Sequence, residues 1–238
     1  KDEKVRNIMR IILSRAARSC RATTHFDLAT LREPQTRPYY CGKHKKICTP
    51  INTIKNHLRR YTNDTIKRLE KFSKLKKQVF SNVIYSDSRE TDIFDEIKKQ
   101  NKEFYELLIK KKIDGVFTSP PYVGQIDYHE QHAYAYELFD IPRKDGKEIG
   151  PLNKGQGKQA KEEYVEGISK VFRNISKFVK EDGDFFIVAN DKYNLYPIIA
   201  DKSGLKIVEQ FKRPVLNRTE RDRQPYSEII FHMKKNEL

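Results

Sequence analysis

With 238 residues and 37% hydrophobic side chains, the chain can bury a real core in one sizeable domain, or in one domain with a smaller companion. No apolar run nears the roughly 18 residues of a membrane span, no signal peptide opens the chain, and three cysteines make no disulfide framework, so membrane and disulfide-rich secreted classes drop out and a reducing, cytoplasmic setting is expected. The net charge of +15 lies wholly in the first third, where residues 1–80 hold 21 Lys and Arg against 6 Asp and Glu.

Such a concentrated basic surface suits a phosphate backbone, in DNA or RNA alike; a solvated lysine-rich face is the alternative. Val5, Ile8, Met9, Ile12 and Leu13 form a helical stripe over 3–20, with arginines between them. The run from Thr23 to Pro38 reads as irregular chain. From Ile51 to Leu75 the pattern is helical and basic again, with Ile54, Leu58, Tyr61, Thr65, Ile66, Leu69 and Phe72 on one side. Residues 1–77 thus read as a basic helical module that contacts nucleic acid, with a loop clamped in its middle.

That loop holds Cys41, His44 and Cys48, close enough in sequence to share a metal, with Cys20 or His25 able to supply a fourth ligand. Zinc takes four such ligands tetrahedrally, and a small loop with little core gains stability from it. The spacing is not that of a common zinc finger. The competing reading is a Tyr/His/Lys loop that touches nucleic acid, with buried thiols.

From Gln78 the composition changes. Residues 79–85 predict a strand, ending at Ser86-Asp87-Ser88-Arg89, where Asp87 can accept hydrogen bonds from a ligand or cap the next helix. A charged helix over 92–112 leads to the apolar run Gly115-Val116-Phe117, a buried strand. Then comes Thr118-Ser119-Pro120-Pro121-Tyr122. Two consecutive prolines lack N–H groups and fix φ near −65°, so the backbone leaves the strand as a stiff extended arm. It presents the Ser119 hydroxyl, free carbonyls and the Tyr122 ring at a strand end, where open α/β sheets bind ligands.

Beyond the arm, Asp127, Tyr128, His129 and His132 can hydrogen-bond to or stack on a base. Residues 142–158, with Gly146, Gly150, Gly155 and Gly157 among lysines, predict a mobile surface loop rather than a phosphate cradle. The helix over 159–180 carries Tyr164, Ile168, Val171, Phe172, Ile175, Phe178 and Val179, with Gly183 as its stop. A buried strand over 184–189, a helix over 196–202 ending at Gly204, and strands over 206–211 and 227–233 complete the alternation.

The arm resembles the catalytic motif of the amino-group DNA methyltransferases, which methylate cytosine N4 or adenine N6 with S-adenosylmethionine. The resemblance covers 78–238 and implies an α/β, methyltransferase-type (Rossmann-like) doubly wound sheet, apparently partial, in an enzyme of restriction-modification. It implies Ser119, Pro120, Pro121 and Tyr122 as catalytic residues, Asp87 near the cofactor adenine, and Thr118 at the cofactor. Within the family, Ser before Pro-Pro-Tyr leans to cytosine N4.

The family's glycine-rich cofactor turn and ribose-binding acid are absent from the sequence. The missing half is expected upstream of Lys1, or on a companion polypeptide. Rival readings are an adenine-N6 DNA enzyme, an RNA base-amine methyltransferase, and a recognition subunit that binds nucleic acid without catalysis.

Overall fold

The computed structural model describes residues 2–20, 35, 37–42, 44–50, 53–214 and 227–236. The irregular run expected over 23–38 falls mostly outside them, as does His25. The chain forms two compact units, one of Lys1–Val79 with Asp127–Gly146, the other of Phe80–Ile126 with Lys147–Leu238. Residues 127–146, expected within the second domain, thus fold with the first third.

In the first unit, α1 (Glu3–Ser19) starts at Asp2, whose carboxylate accepts the Lys4 N–H at 2.8 Å. It packs on α2 (Ile54–Leu75) through buried Ile12, Ala16 and His57. Around that small seam Arg15 binds Asp64 at 2.7 Å and lies over the Tyr61 ring, while the Ser19 and Tyr61 hydroxyls meet at 2.6 Å. The outer half of the apolar stripe on α2, with Ile66, Leu69 and Phe72, stays exposed. Between the helices a hairpin pairs β1 (Tyr39–Cys41) antiparallel with β2 (Lys46–Cys48), turning through Lys45 at φ 53°. Two short helices, α5 (Tyr128–Gln131) and α6 (Ala133–Leu138), carry the later segment, and α6 packs on α1.

The second unit is built on a four-stranded sheet. Its strands are β3 (Ile113–Thr118), β4 (Val179–Ala189), β5 (Leu205–Pro214) and β6 (Ser227–Lys235), in the order β3-β4-β6-β5. β3 and β4 run parallel, and β6 pairs antiparallel with both β4 and β5. The α/β class is as expected, with a mixed sheet. Phe185, Ile187 and Ala189 alternate into one buried face of β4, opposite Met233 and Phe231 of β6. Against that face pack α7 (Lys158–Ser176), through Tyr164, Ile168 and Phe172, and α8 (Tyr196–Ser203), through Tyr196 and Ile199.

Two glycines have local reasons. A Cβ on Gly115 would lie 2.7 Å from the Asp184 carbonyl oxygen, so only glycine lets β3 approach β4 there. Gly204 takes φ 70° to end α8. Gly183, by contrast, is not the stop of α7. The helix ends earlier, and Gly183 lies inside β4 where the pairing with β3 shifts register.

Other elements differ from expectation. The single helix over 92–112 is two, α3 (Ile93–Gln100) and α4 (Lys102–Lys111). Asn101, at φ −152°, ends the first, and its side chain accepts the Phe104 N–H of the second at 2.9 Å. The loop over 142–158 contains two short 3-10 turns, Asp145–Lys147 and Leu152–Lys154.

Residues 79–85 form no ladder. Phe80 stacks on Phe104 with centroids 5.1 Å apart, but Val83 and Tyr85 are 83% and 76% exposed. A strand exists only with a neighbour to pair, and among the described residues this segment has none. The facing edge of β3 is likewise unpaired, and Phe117 on it is 79% exposed. A cavity of about 600 Å³ lies between, lined by Phe80, Asn82, Ile84, Leu108, Ile113 and Gly115.

Candidate active site

The parallel pairing of β3 with β4 places Thr118 beside Ile187, and the arm leaves the sheet at its carboxyl end. Ser119 is exposed there, while Thr118, Pro120, Pro121 and Tyr122 are half-buried. Hydrogen bonds at two points hold the arm. The Tyr164 hydroxyl of α7 donates to the Pro121 carbonyl at 2.9 Å and meets the Tyr196 hydroxyl at 3.1 Å. Burial, then the neighbouring Tyr164, drives the Tyr196 phenol well above its usual range, so it stays a neutral partner. At the far end, the Tyr122 hydroxyl donates to Glu228 of β6 at 2.8 Å, and Glu228 also receives Arg213 at 3.2 Å.

Beyond Tyr122 the chain is anchored as firmly. Val123 enters the core. Gly124, at φ 61°, donates its N–H to the Gly150 carbonyl at 3.0 Å, and its carbonyl accepts Gln156 Nε2 at 3.2 Å. A Cβ on Gly124 would fall 2.3 Å from the Gly155 carbonyl oxygen, so glycine is required. The glycine-bearing segment is therefore a brace for the arm. Sequence reasoning missed Tyr164, Glu228 and Gln156. Tyr164 read as one more core residue of a helical stripe, and Glu228 lies 106 residues from its partner.

Asp87 sits in a turn after the extended segment, where its backbone carbonyl accepts the Glu90 and Thr91 N–H groups. Asn174 of α7 fixes that turn by donating to the Ser88 and Thr91 carbonyls at 3.2 and 2.8 Å. The carboxylate caps no helix; Asp92 caps α3 instead. It is gripped by Arg89 at 2.6 and 2.9 Å, with Lys147 at 3.7 Å, on the wall of an open groove of about 700 Å³.

The hydrogen bonds from Arg89 hold the Asp87 carboxyl down at about 2. A carboxylate depressed in the fold stabilises above its unfolded value, and loses that contribution as pH falls through the folded one. At neutral pH Asp87→Asn is therefore expected to cost about 1–2 kcal/mol. In urea titrations the gap between wild type and variant should close between about pH 4 and pH 2. A gap independent of pH would show that the ion pair is not its source.

Asp127, Tyr128, His129 and His132 lie in the first unit. The His129 ring stacks on Tyr136 with centroids 5.2 Å apart, and His132 tilts against Tyr134 at 6.2 Å. Arg143 bridges Glu130 and Asp145 beside them. All four belong to the first unit, whereas the arm belongs to the second. Also in the first unit, Cys41, His44 and Cys48 bring one ligand atom each to within 4.8 Å of one another.

No family model matches the chain. Over 237 of its 238 residues the chain is 62% identical to the type II methyltransferase M.MjaII of Methanocaldococcus jannaschii. It spans 44% of that relative. Two crystal structures, of M1.HpyAVI with SAM and of M1.HpyAVI, align with it at a TM-score of 0.31. They are 17% and 16% identical, over 66% and 64% of this chain and 54% and 55% of theirs. The chain is thus similar from end to end to part of a type II methyltransferase, in agreement with the methyltransferase resemblance read from its arm.

Proposed function

We propose that this chain is the catalytic and DNA-contacting portion of an S-adenosylmethionine-dependent DNA methyltransferase acting on an exocyclic base amine, cytosine N4 rather than adenine N6. The observation that carries the proposal is the braced arm: an exposed Ser119 between a sheet end and a tyrosine ring, with the backbone tied at Pro121 and Gly124. An exocyclic amine is a weak nucleophile because its lone pair is delocalised into the ring. Two acceptors on its hydrogens, the Ser119 hydroxyl and the Pro120 carbonyl, favour a pyramidal nitrogen with its lone pair turned outward. Tyr122 stacks on the flipped-out base, and Glu228 fixes the direction of that ring. Positioning then carries most of the rate.

S-adenosylmethionine, when bound, supplies an electrophilic methyl group on a sulfonium. The residues present fit only part of it. Asp87 and Thr118 can meet its adenine and reacting ends, although Arg89 already occupies the Asp87 carboxylate. We assign the glycine turn and the ribose acid to polypeptide outside this chain, in cis or on a companion. The edge of β3 and residues 79–85 form no ladder among the described residues, and the cavity lined by both supports that assignment. Asn82 Nδ2 adds to it, a buried atom with no hydrogen-bond partner among the described residues, a cost that a strand carbonyl would remove. The basic first unit, with Asp127, Tyr128, His129 and His132, is assigned to DNA. Among the described residues no helix is long and apolar enough to cross a membrane.

Product analysis tests the reading. DNA treated with the assembled enzyme and S-adenosylmethionine, digested to nucleosides, should yield N4-methylcytosine by mass spectrometry. N6-methyladenine would move the target to adenine, and 5-methylcytosine would refute amine transfer.

A further inference from the structure

We propose that Cys41 Sγ, His44 Nδ1 and Cys48 Sγ are three of the four ligands of a structural zinc ion that clamps the β1–β2 hairpin. No step of the methyl-transfer reading uses these residues. The hairpin has strands of three residues each, and Tyr40 and Ile47 on its outer face are both exposed. A hairpin that short is marginal without a further tie. On the other face Cys41 and Cys48 are buried, at 0% and 8% exposure.

The pairing decides between a disulfide and a metal. Cys41 lies opposite Lys46 and Cys48 opposite Tyr39, so the cysteines share a face but are offset by two residues. Such a diagonal pair is about 7–8 Å apart at the backbone, at or past the limit of an unstrained disulfide. Thiolates sharing one zinc, with Zn–S near 2.3 Å, need sulfurs only about 3.8 Å apart. For a sulfur and an imidazole nitrogen on a tetrahedral zinc the expected separation is about 3.6 Å. His44 Nδ1 stands 3.4 Å from Cys48 Sγ.

The turn is shaped for this. Lys45, in the left-handed region at φ 53°, reverses the chain, and the His44 N–H donates to the Cys41 carbonyl at 3.2 Å, which holds the imidazole-bearing residue to the strand end that carries Cys41. Binding takes one proton from each thiol, and two thiolates with a neutral imidazole balance the charge of Zn²⁺. Cys20, at the end of α1, is not in the cluster.

The test is metal analysis of the purified chain without added metal. We expect about one zinc per chain, and Co²⁺ exchanged into the site should show thiolate-to-cobalt charge transfer and the intense visible bands of tetrahedral cobalt. Cys41→Ser and Cys48→Ser should each lose both signatures. Because a variant could fail to fold, chelator titration of the wild-type chain is the second measurement, and zinc release should lower its thermal midpoint. Metal-free protein whose midpoint ignores chelator would overturn the proposal, as would a Cys41–Cys48 disulfide in non-reducing peptide mapping.

Discussion

Replacing Ser119 by alanine in the assembled enzyme is expected to lower methyl transfer by about 10²- to 10³-fold, the usual cost of removing one acceptor aimed at the reacting group. Folding should be unaffected, because Ser119 is exposed and lies on an arm that other residues hold. Tyr122→Ala removes stacking worth about 1–3 kcal/mol, or roughly 5- to 150-fold in rate if felt only in the reactive complex. Tyr122→Phe separates the ring from its tether: it keeps the stacking surface and loses the bond to Glu228. It should fall between wild type and Tyr122→Ala. Single-turnover kinetics on duplex DNA would measure all three. Near wild-type transfer by Tyr122→Ala would remove the stacking role.

The second large effect concerns the cofactor. Residues 1–238 alone are expected to bind S-adenosylmethionine weakly or not at all. Affinity in such folds comes largely from backbone approach at a glycine turn and from an acid on the ribose. Among the described residues no glycine-rich turn follows a strand of the four-stranded sheet. Losing those contacts should cost several kcal/mol, at about 1.4 kcal/mol per tenfold in affinity. The unfilled space beside β3 agrees, since a sheet edge bearing an exposed Phe117 is a place for another strand. Calorimetry on the isolated chain checks this. Micromolar binding would mean that Asp87 and its groove hold more of the cofactor than is assigned to them.

Much of the fold was legible because its elements carry strong periodic signals. The stripe on α7, the apolar run of β4 and Gly204 after α8 each state their structure locally. Residues 79–85 read as a strand on the same grounds and did not become one, because a ladder depends on a partner that local sequence does not report. Asn101 hid a break inside a charged stretch, since its role as a cap shows only once the backbone turns there. The arm was legible because Pro-Pro leaves few conformations. Its braces were not: Tyr164, Gln156 and Glu228 act across 32 to 106 residues, and nothing in their own neighbourhoods marks them.

The most direct test of the central claim is complementation. Transfer of labelled methyl groups from S-adenosylmethionine to duplex DNA would be measured for residues 1–238 alone, for the chain joined to a polypeptide that supplies a glycine turn, and for that assembly with Ser119→Ala. The account predicts label in the second case only, on an exocyclic base amine. Label from the isolated chain, or undiminished label from the Ser119→Ala assembly, would contradict it.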